Sequence, residues 1–255
     1  MMRILLTFLS VLFYQVSVLE ALEIKHNIRT SIGLFDACEE TFSYAFFKNK
    51  DYDVKTSLYT TGIFGKMYPF KASYHSVGTY KNNTFFPQDY YYETQSRFRK
   101  RTKEIFYKNG IPQYRISTKD KKKRIDDIIV DNKYSSSIDL LSVFGLLAYN
   151  LNNYDDCNLT TYSFNGKRYT LSKIKMIGKE RIKTDFFEGK AIKCEYSLEV
   201  SDDADAGFLL TKDVPIYFWV MKDKKNKAYF LAKILVEKTP FGKLEAITTN
   251  VEVIE

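Results

Sequence analysis

The sequence is poor in the residues that build metal and acid–base centres. Two histidines and three cysteines in 255 residues exclude a multi-histidine metal site and argue against a thiolate one. Five prolines and 11 glycines exclude a collagen-like or linker-rich chain. No Gly-x-Ser-x-Gly elbow offers a nucleophilic serine, and no internal repeat marks a solenoid. Nucleic-acid-binding motifs with the required spacing are also missing. What the chain does have is aromatic side chains, with 20 Tyr and 20 Phe. At 45% hydrophobic and 27% charged, it can bury a sizeable core and is too apolar for a disordered segment.

The strongest apolar run is N-terminal. Arg3 precedes Ile4 to Tyr14, a stretch broken only by Thr7 and Ser10, and Ala21 offers a small residue for cleavage. This is the layout of a secretory signal peptide. The run is short for a spanning helix, which needs about 20 residues, so an uncleaved anchor is the lesser reading. The expectation is a signal peptide over residues 1–21, cleaved near Ala21, and one exported all-β domain over 22–255. Processing removes Arg3 and Glu20 together, so the net charge of +8 survives. A basic exported protein can meet anionic lipid or cell-wall polymer; biased coding toward Lys and Asn is the plainer source of that charge. Nucleic acid is not an expected partner.

Most of the remaining chain alternates with period two, the mark of half-buried strands. Tyr52, Val54, Thr56 and Leu58 share one parity, and Tyr68, Phe70, Ala72 and Tyr74 repeat the pattern. A long strand is expected from Tyr90 to Thr102. Asn109-Gly110 and Asn165-Gly166 are hairpin-turn pairs. They join Lys103–Lys108 to Ile111–Ser117 and Leu159–Phe164 to Arg168–Ile177. Later strands are Lys190–Val200, Ile216–Met221, Ala228–Glu237 and Leu244–Val253. The polar stretches Lys119–Arg124, Ser201–Gly207 and Lys222–Lys227 are expected to be solvated loops.

One segment breaks the alternation. Leu140, Phe144, Leu147 and Leu151 follow helical spacing behind Ser137, a fair N-cap, so a helix is expected over about 137–150. It is apolar on every side, and a sheet curved around it would cover both faces. Leu140, Phe144 and Leu147 then either belong to plain core or line an apolar groove able to hold an acyl chain.

Four further features invite chemistry. If the strand from Tyr90 runs unbroken, Arg97, Arg99, Arg101 and Lys103 share one face and form a basic stripe for anionic envelope material; edge protection by charge is the alternative. Cys157 and Cys194 are expected to form a disulfide, with two buried thiols as the alternative and Cys38 left free or pairing across a dimer. Asp202, Asp203 and Asp205 fail the EF-hand template, because Ala206 and Lys212 stand where Gly and Glu are needed. His75 and Ser76 are neighbours in a strand and point apart, and His26 is expected in a disordered N-terminal stretch. Neither histidine suggests catalysis, and no cofactor is called for.

The order of these features resembles a known family. SIGLF opens a strand; YDVKTSLYTTGIFGKMYPF and TFFPQDYYYETQSRFRKR follow, then a KNG hairpin and the SSSIDLLSVFGLL helix. CNLTTYSFNGKRYTL, FFEGKAIKCEYSLE, IYFWVMKD and AYFLAKILVEKTPFGKLEA complete the series. This resembles the bacterial exported family called domain of unknown function 3108, over roughly residues 28–253. The resemblance implies a periplasmic envelope protein with a strongly curved antiparallel sheet or open barrel. Its general look is similar to the periplasmic lipoprotein carriers of the Lol system, an analogy of fold that does not carry function. The expected role is non-enzymatic: binding an apolar or amphiphilic ligand such as lipid, with peripheral membrane contact. The alternative is a structural or interaction protein that docks on an envelope partner through its basic strand.

Overall fold

Period-two alternation becomes strand over most of the chain. The computed structural model describes residues 21–200, 214–225 and 227–254. The expected signal sequence up to residue 20 and the acidic stretch Ser201–Gly207 lie outside them. The first half forms β1 (Ala21–Ile32), β2 (Phe35–Phe47), β3 (Asp51–Thr60), β4 (Phe70–Lys81), β5 (Thr84–Ser96), β6 (Lys100–Lys108), β7 (Ile111–Lys119) and β8 (Lys122–Asp127). A short helix α1 (Gly62–Met67) links β3 to β4, and the long helix α2 (Leu140–Tyr154) follows β8. The second half forms β9 (Leu159–Phe164), β10 (Tyr169–Lys183), β11 (Glu188–Val200), β12 (Ile216–Lys222), β13 (Tyr229–Thr239) and β14 (Gly242–Ile254).

All fourteen strands join one antiparallel sheet, in the order β8-β7-β6-β5-β4-β3-β2-β1-β14-β13-β12-β11-β10-β9. Two meanders, one on each side of α2 in sequence, meet where β1 pairs β14. The edges β8 and β9 do not pair, so the sheet stays open. α2 touches β3, β4 and β5 as well as β9 and β13, which only a sheet curved around the helix allows. The fold is therefore mainly β, a strongly curved antiparallel open barrel around one apolar helix, as expected.

The open seam is bridged by the chain between β8 and α2. The Ile128 N–H donates to the Gln113 carbonyl of β7 at 2.8 Å, and the Ile138 N–H to the Tyr162 carbonyl of β9 at 3.1 Å. The β9–β10 turn closes on β6 and β7: Lys103 Nζ donates to the Asn165 carbonyl at 2.9 Å, and the Arg115 guanidinium donates to the Gly166 carbonyl. Gly166 takes φ +85, so this close approach needs no side chain and no strained backbone.

Three local expectations are corrected. The strand from Tyr90 does not run to Thr102, because the Ser96 N–H bonds to the Arg99 carbonyl at 2.8 Å and closes a tight turn between β5 and β6. Lys119–Arg124 is not a loop: Asp120 and Lys121 both take positive φ, make a two-residue hairpin, and send the chain into β8. The N-cap of α2 is Asp139 rather than Ser137; its Oδ1 accepts the Ser142 N–H at 2.9 Å, while Ile138 is held in an extended bridge to Ser163.

The core fills the concave side around α2, with Ile24, Tyr44, Tyr52, Val54, Phe85 and Ile105 among its members. At Gly145 the helix comes so near the sheet that an added Cβ would sit 2.8 Å from Val54 Cγ2. A smaller cluster around Trp219, Phe230 and Ala232 packs on the convex side. A bulge next to Ile177 turns the β10–β11 hairpin outward over that cluster, where Phe187 meets Phe230 at 4.9 Å between ring centres. Cys157, at the entrance to β9, forms a disulfide with Cys194 in β11, and Cys38 is a free, half-buried thiol.

Candidate functional site

The inside of the barrel holds a polar cluster that the sequence did not reveal. Asp139 is fully buried at the start of α2. Its Oδ2 accepts from Ser142 Oγ at 2.6 Å and from Ser76 Oγ at 2.7 Å. Tyr52 Oη and Ser142 Oγ share a hydrogen bond at 2.7 Å. Burial pushes the Asp139 carboxyl above its usual range, and desolvation with the nearby Asp139 raises the Tyr52 phenol. Ser76, Ser142 and Asp139 have no exposed surface, so no substrate reaches them. The cluster caps α2 and ties it to β3 and β4.

Of Leu140, Phe144 and Leu147, read as either plain core or groove wall, the first two are half-buried. Leu147 is buried, and Phe144 packs edge-on against Tyr196 at 5.8 Å. A cleft of about 450 Å³ opens at the C-terminal end of α2. Leu22, Phe46, Tyr80 and Tyr149 give it aromatic and aliphatic walls, and Lys50, Lys222 and Lys227 stand at its lip. Tyr149 meets Phe46 at 5.6 Å and Tyr80 at 5.1 Å, so the walls are stiff. Asn152 fixes the helix end: its Oδ1 accepts the Tyr229 N–H at 2.8 Å and its Nδ2 donates to the Ala148 carbonyl at 2.8 Å. Lys222 pairs with Asp155 at 2.9 Å and lies over the Tyr229 ring. This volume is in the range of small-molecule sites. Most of its exposed lining is polar, from the asparagines and lysines, with a smaller aromatic part, so its cationic lip suits an anionic head and the first stretch of an apolar body.

Sequence reasoning missed this cleft because its parts come from unlike places. Lys222 and Lys227 belong to a stretch taken as a solvated loop, and Lys50 to a turn. One signal was legible: the helix ends in polar Asn152 and Asn153 beside Tyr149, so its last turn differs from the apolar body.

The basic stripe does not form. Arg97 and Arg99 lie in the β5–β6 turn, while Arg101 and Lys103 belong to β6. Lys103 faces inward, with Nζ over the Tyr92 ring at 5.1 Å. Burial, with Arg115 and Lys167 close by, lowers its pKa to about 8. The break at Ser96–Arg99 is the cause: a turn resets parity on either side.

The histidines behave differently from each other. His75 Nε2 pairs with Asp53 Oδ1 at 3.1 Å on the outer face, while Ser76 points inward to Asp139. His26 corrects the expectation of disorder. It lies in β1, almost fully buried at 1% exposure, and burial lowers its pKa to about 4.

Residues 30–248 match the family described as a protein of unknown function, DUF3108. The chain belongs to this family. Among solved structures the DUF3108 chain is similar to a β-barrel-like protein of the domain of unknown function DUF1849 from Brucella abortus. The TM-score is 0.59, over 92% of this chain and 98% of that one, at 6% sequence identity. At that identity the likeness carries the fold alone. No curated protein matches the DUF3108 chain.

Proposed function

We propose that this DUF3108 protein is a non-enzymatic component of the bacterial cell envelope, exported to the periplasm, that holds an amphiphile with an anionic head. The reading rests on the cleft at the end of α2, where Leu22, Phe46, Tyr80 and Tyr149 lie beneath Lys50, Lys222 and Lys227. The carboxylate or phosphate of the amphiphile would meet the lysines, and the start of its apolar chain would lie on the smaller aromatic part of the lining. Docking on a protein through a basic strand is the weaker reading, because the four cations that suggested it are divided between a turn and an inward-facing strand.

The test is titration of the delipidated protein with a fluorescent fatty acid. Saturable binding at micromolar probe is expected, weakened about tenfold or more by the double change Lys50→Glu and Lys227→Glu, with circular dichroism unchanged. Each reversal removes one attraction and adds one repulsion near the head. A flat titration, or binding indifferent to both reversals, removes the cleft as the ligand site.

A further inference from the structure

The barrel has two rims with opposite chemistry. At the rim beside the cleft the tight turns are polar: residues 48–50 read Lys-Asn-Lys, and Asn82-Asn83 and Asn109-Gly110 make the next two. At the other rim, successive connections carry large apolar side chains into solvent. The β13–β14 turn presents Phe241, the β1–β2 turn Leu34 and Phe35, the α1 link Met67 and Tyr68, and the β5–β6 turn Phe98. Leu34 is 97% exposed and Phe98 83%. None of them packs in a core cluster.

These tips are contiguous. The Gly33 N–H bonds to the Lys243 carbonyl at 2.8 Å, and the Thr61 N–H to the Ala37 carbonyl at 2.9 Å. Phe70 is paired with Ser96, which brings the α1 link beside the β5–β6 turn. Successive hairpins sit about 10 Å apart, so the row from Phe241 to Phe98 spans about 30 Å. Single exposed apolar residues are ordinary on a protein surface; a continuous row is not.

Cations flank three of the four tips, while the Leu34–Phe35 turn carries Asp36 and borders Lys243 through the Gly33 hydrogen bond. Lys238 and Lys243 border Phe241, Lys66 and Lys71 border the α1 link, and Arg97 and Arg99 enclose Phe98. The next turn along is Lys119–Lys123, whose lysines are exposed. Arg97 already lies over the Phe98 ring at 5.6 Å. The exposed carboxylates of these tips, Asp36, Asp120 and Glu237, are outnumbered.

We propose that this rim docks on an anionic bilayer, with Leu34, Phe35, Phe98 and Phe241 entering the headgroup layer and the flanking lysines and arginines meeting lipid phosphates. Apolar groups at the interface gain by burial, and each cation near an anionic surface adds to the attraction. Neither contribution suffices alone at this size, and the rim supplies both together. The proposal does not depend on the cleft, which opens at the opposite rim and would face away from the bilayer.

The experiment is co-sedimentation of the exported, purified protein with two kinds of vesicle: phosphatidylcholine alone, and phosphatidylcholine mixed with phosphatidylglycerol. Binding to the mixed vesicles only, weakening with added salt, is expected. Phe98→Ser with Phe241→Ser should lower vesicle affinity about tenfold or more, as loss of two buried rings implies. Arg97→Glu with Arg99→Glu should lower it by a similar factor. These side chains are exposed, so circular dichroism should not change. Lys108→Glu, exposed at the other rim and outside the cleft, should leave vesicle binding as it was, and fatty-acid binding retained by the Phe98 and Phe241 variant separates this proposal from the one on the cleft. Failure to sediment with the mixed vesicles, or sedimentation indifferent to the Phe98 and Phe241 changes, overturns it. So does a change of oligomeric state on gel filtration in those variants, which would assign the rim to a second copy of the chain.

Discussion

His26 shows how a side chain can stand in for a strand. β13 pairs with β14 only from Lys233 onward. At Leu231 the ladder is already open, and two side chains close it. The Leu231 N–H donates to His26 Nε2 at 3.2 Å, and Thr248 Oγ1 donates to the Leu231 carbonyl. Because Nε2 accepts, the ring proton sits on Nδ1 and is shared with the Phe42 carbonyl at 3.3 Å. Burial disfavours the charged ring and lowers its pKa to about 4, and protonating Nε2 would also set two donors against each other. The unfolded chain, with a histidine pKa near 6.5, binds this proton more readily than the folded one. Stability from His26 is therefore complete above about pH 6.5 and is lost as pH falls toward about 4, by about 3 kcal/mol. Urea titrations at stepped pH should show that slope. His26→Ala should flatten it, and should cost about 2 kcal/mol at pH 7 by orphaning the Leu231 N–H. Nothing in the sequence foretold this role, since His26 and Leu231 lie 205 positions apart.

At the scale of the element, α2 was legible in part. Its apolar spacing gave its place and its burial. Its start was misjudged by two residues, because Ser137 and Asp139 are both good caps and only the bridge from Ile138 to β9 decides between them. Asp139→Ala should cost more than about 3 kcal/mol in chemical denaturation, since it removes a cap and leaves the Ser76 and Ser142 hydroxyls without their acceptor. Asp139→Asn keeps an oxygen for the Ser142 N–H and should cost clearly less. A glycine inside a helix costs up to about 1 kcal/mol in propensity, which makes Gly145 a weak point on local grounds. In the structure it is the point of closest approach to the sheet, and Gly145→Leu should cost about 1–3 kcal/mol by overpacking against Val54 and Phe85, despite a gain in helix propensity. Periodicity could not show this, because it reports which face is buried and not how near the neighbour lies.

At the scale of the molecule, alternation and the two Asn-Gly turns gave the meander, and with it most of the sheet. They could not give the pairing of β1 with β14, which no local signal encodes, nor the apolar rim, whose members are scattered over four separate connections. The Cys157–Cys194 pairing was legible from the hairpin signals between the two residues. It ties the entrance of edge strand β9 to β11, across β10. By the loop-entropy account, a bridge spanning 37 positions stabilises by about 3–4 kcal/mol. Thermal melts with and without reductant should differ accordingly, and the Cys157→Ala, Cys194→Ala double variant should match the reduced protein.

The meeting of β1 and β14 at the middle of the sheet also sets an order of events for a chain made from its N-terminus. The meander β1 to β8 can assemble from near neighbours while synthesis continues. Its β1 side then lies bare, because β14, which covers it, is made after every other described strand. Until β14 arrives, β1 offers unpaired N–H and C=O groups to any passing strand, and this pairing joins Glu23 to Ile254 and Ile32 to Leu244, far apart in sequence and so slow to form. The growing chain is thus exposed to aggregation until β14 has been made, and a holding chaperone would serve it best by covering β1.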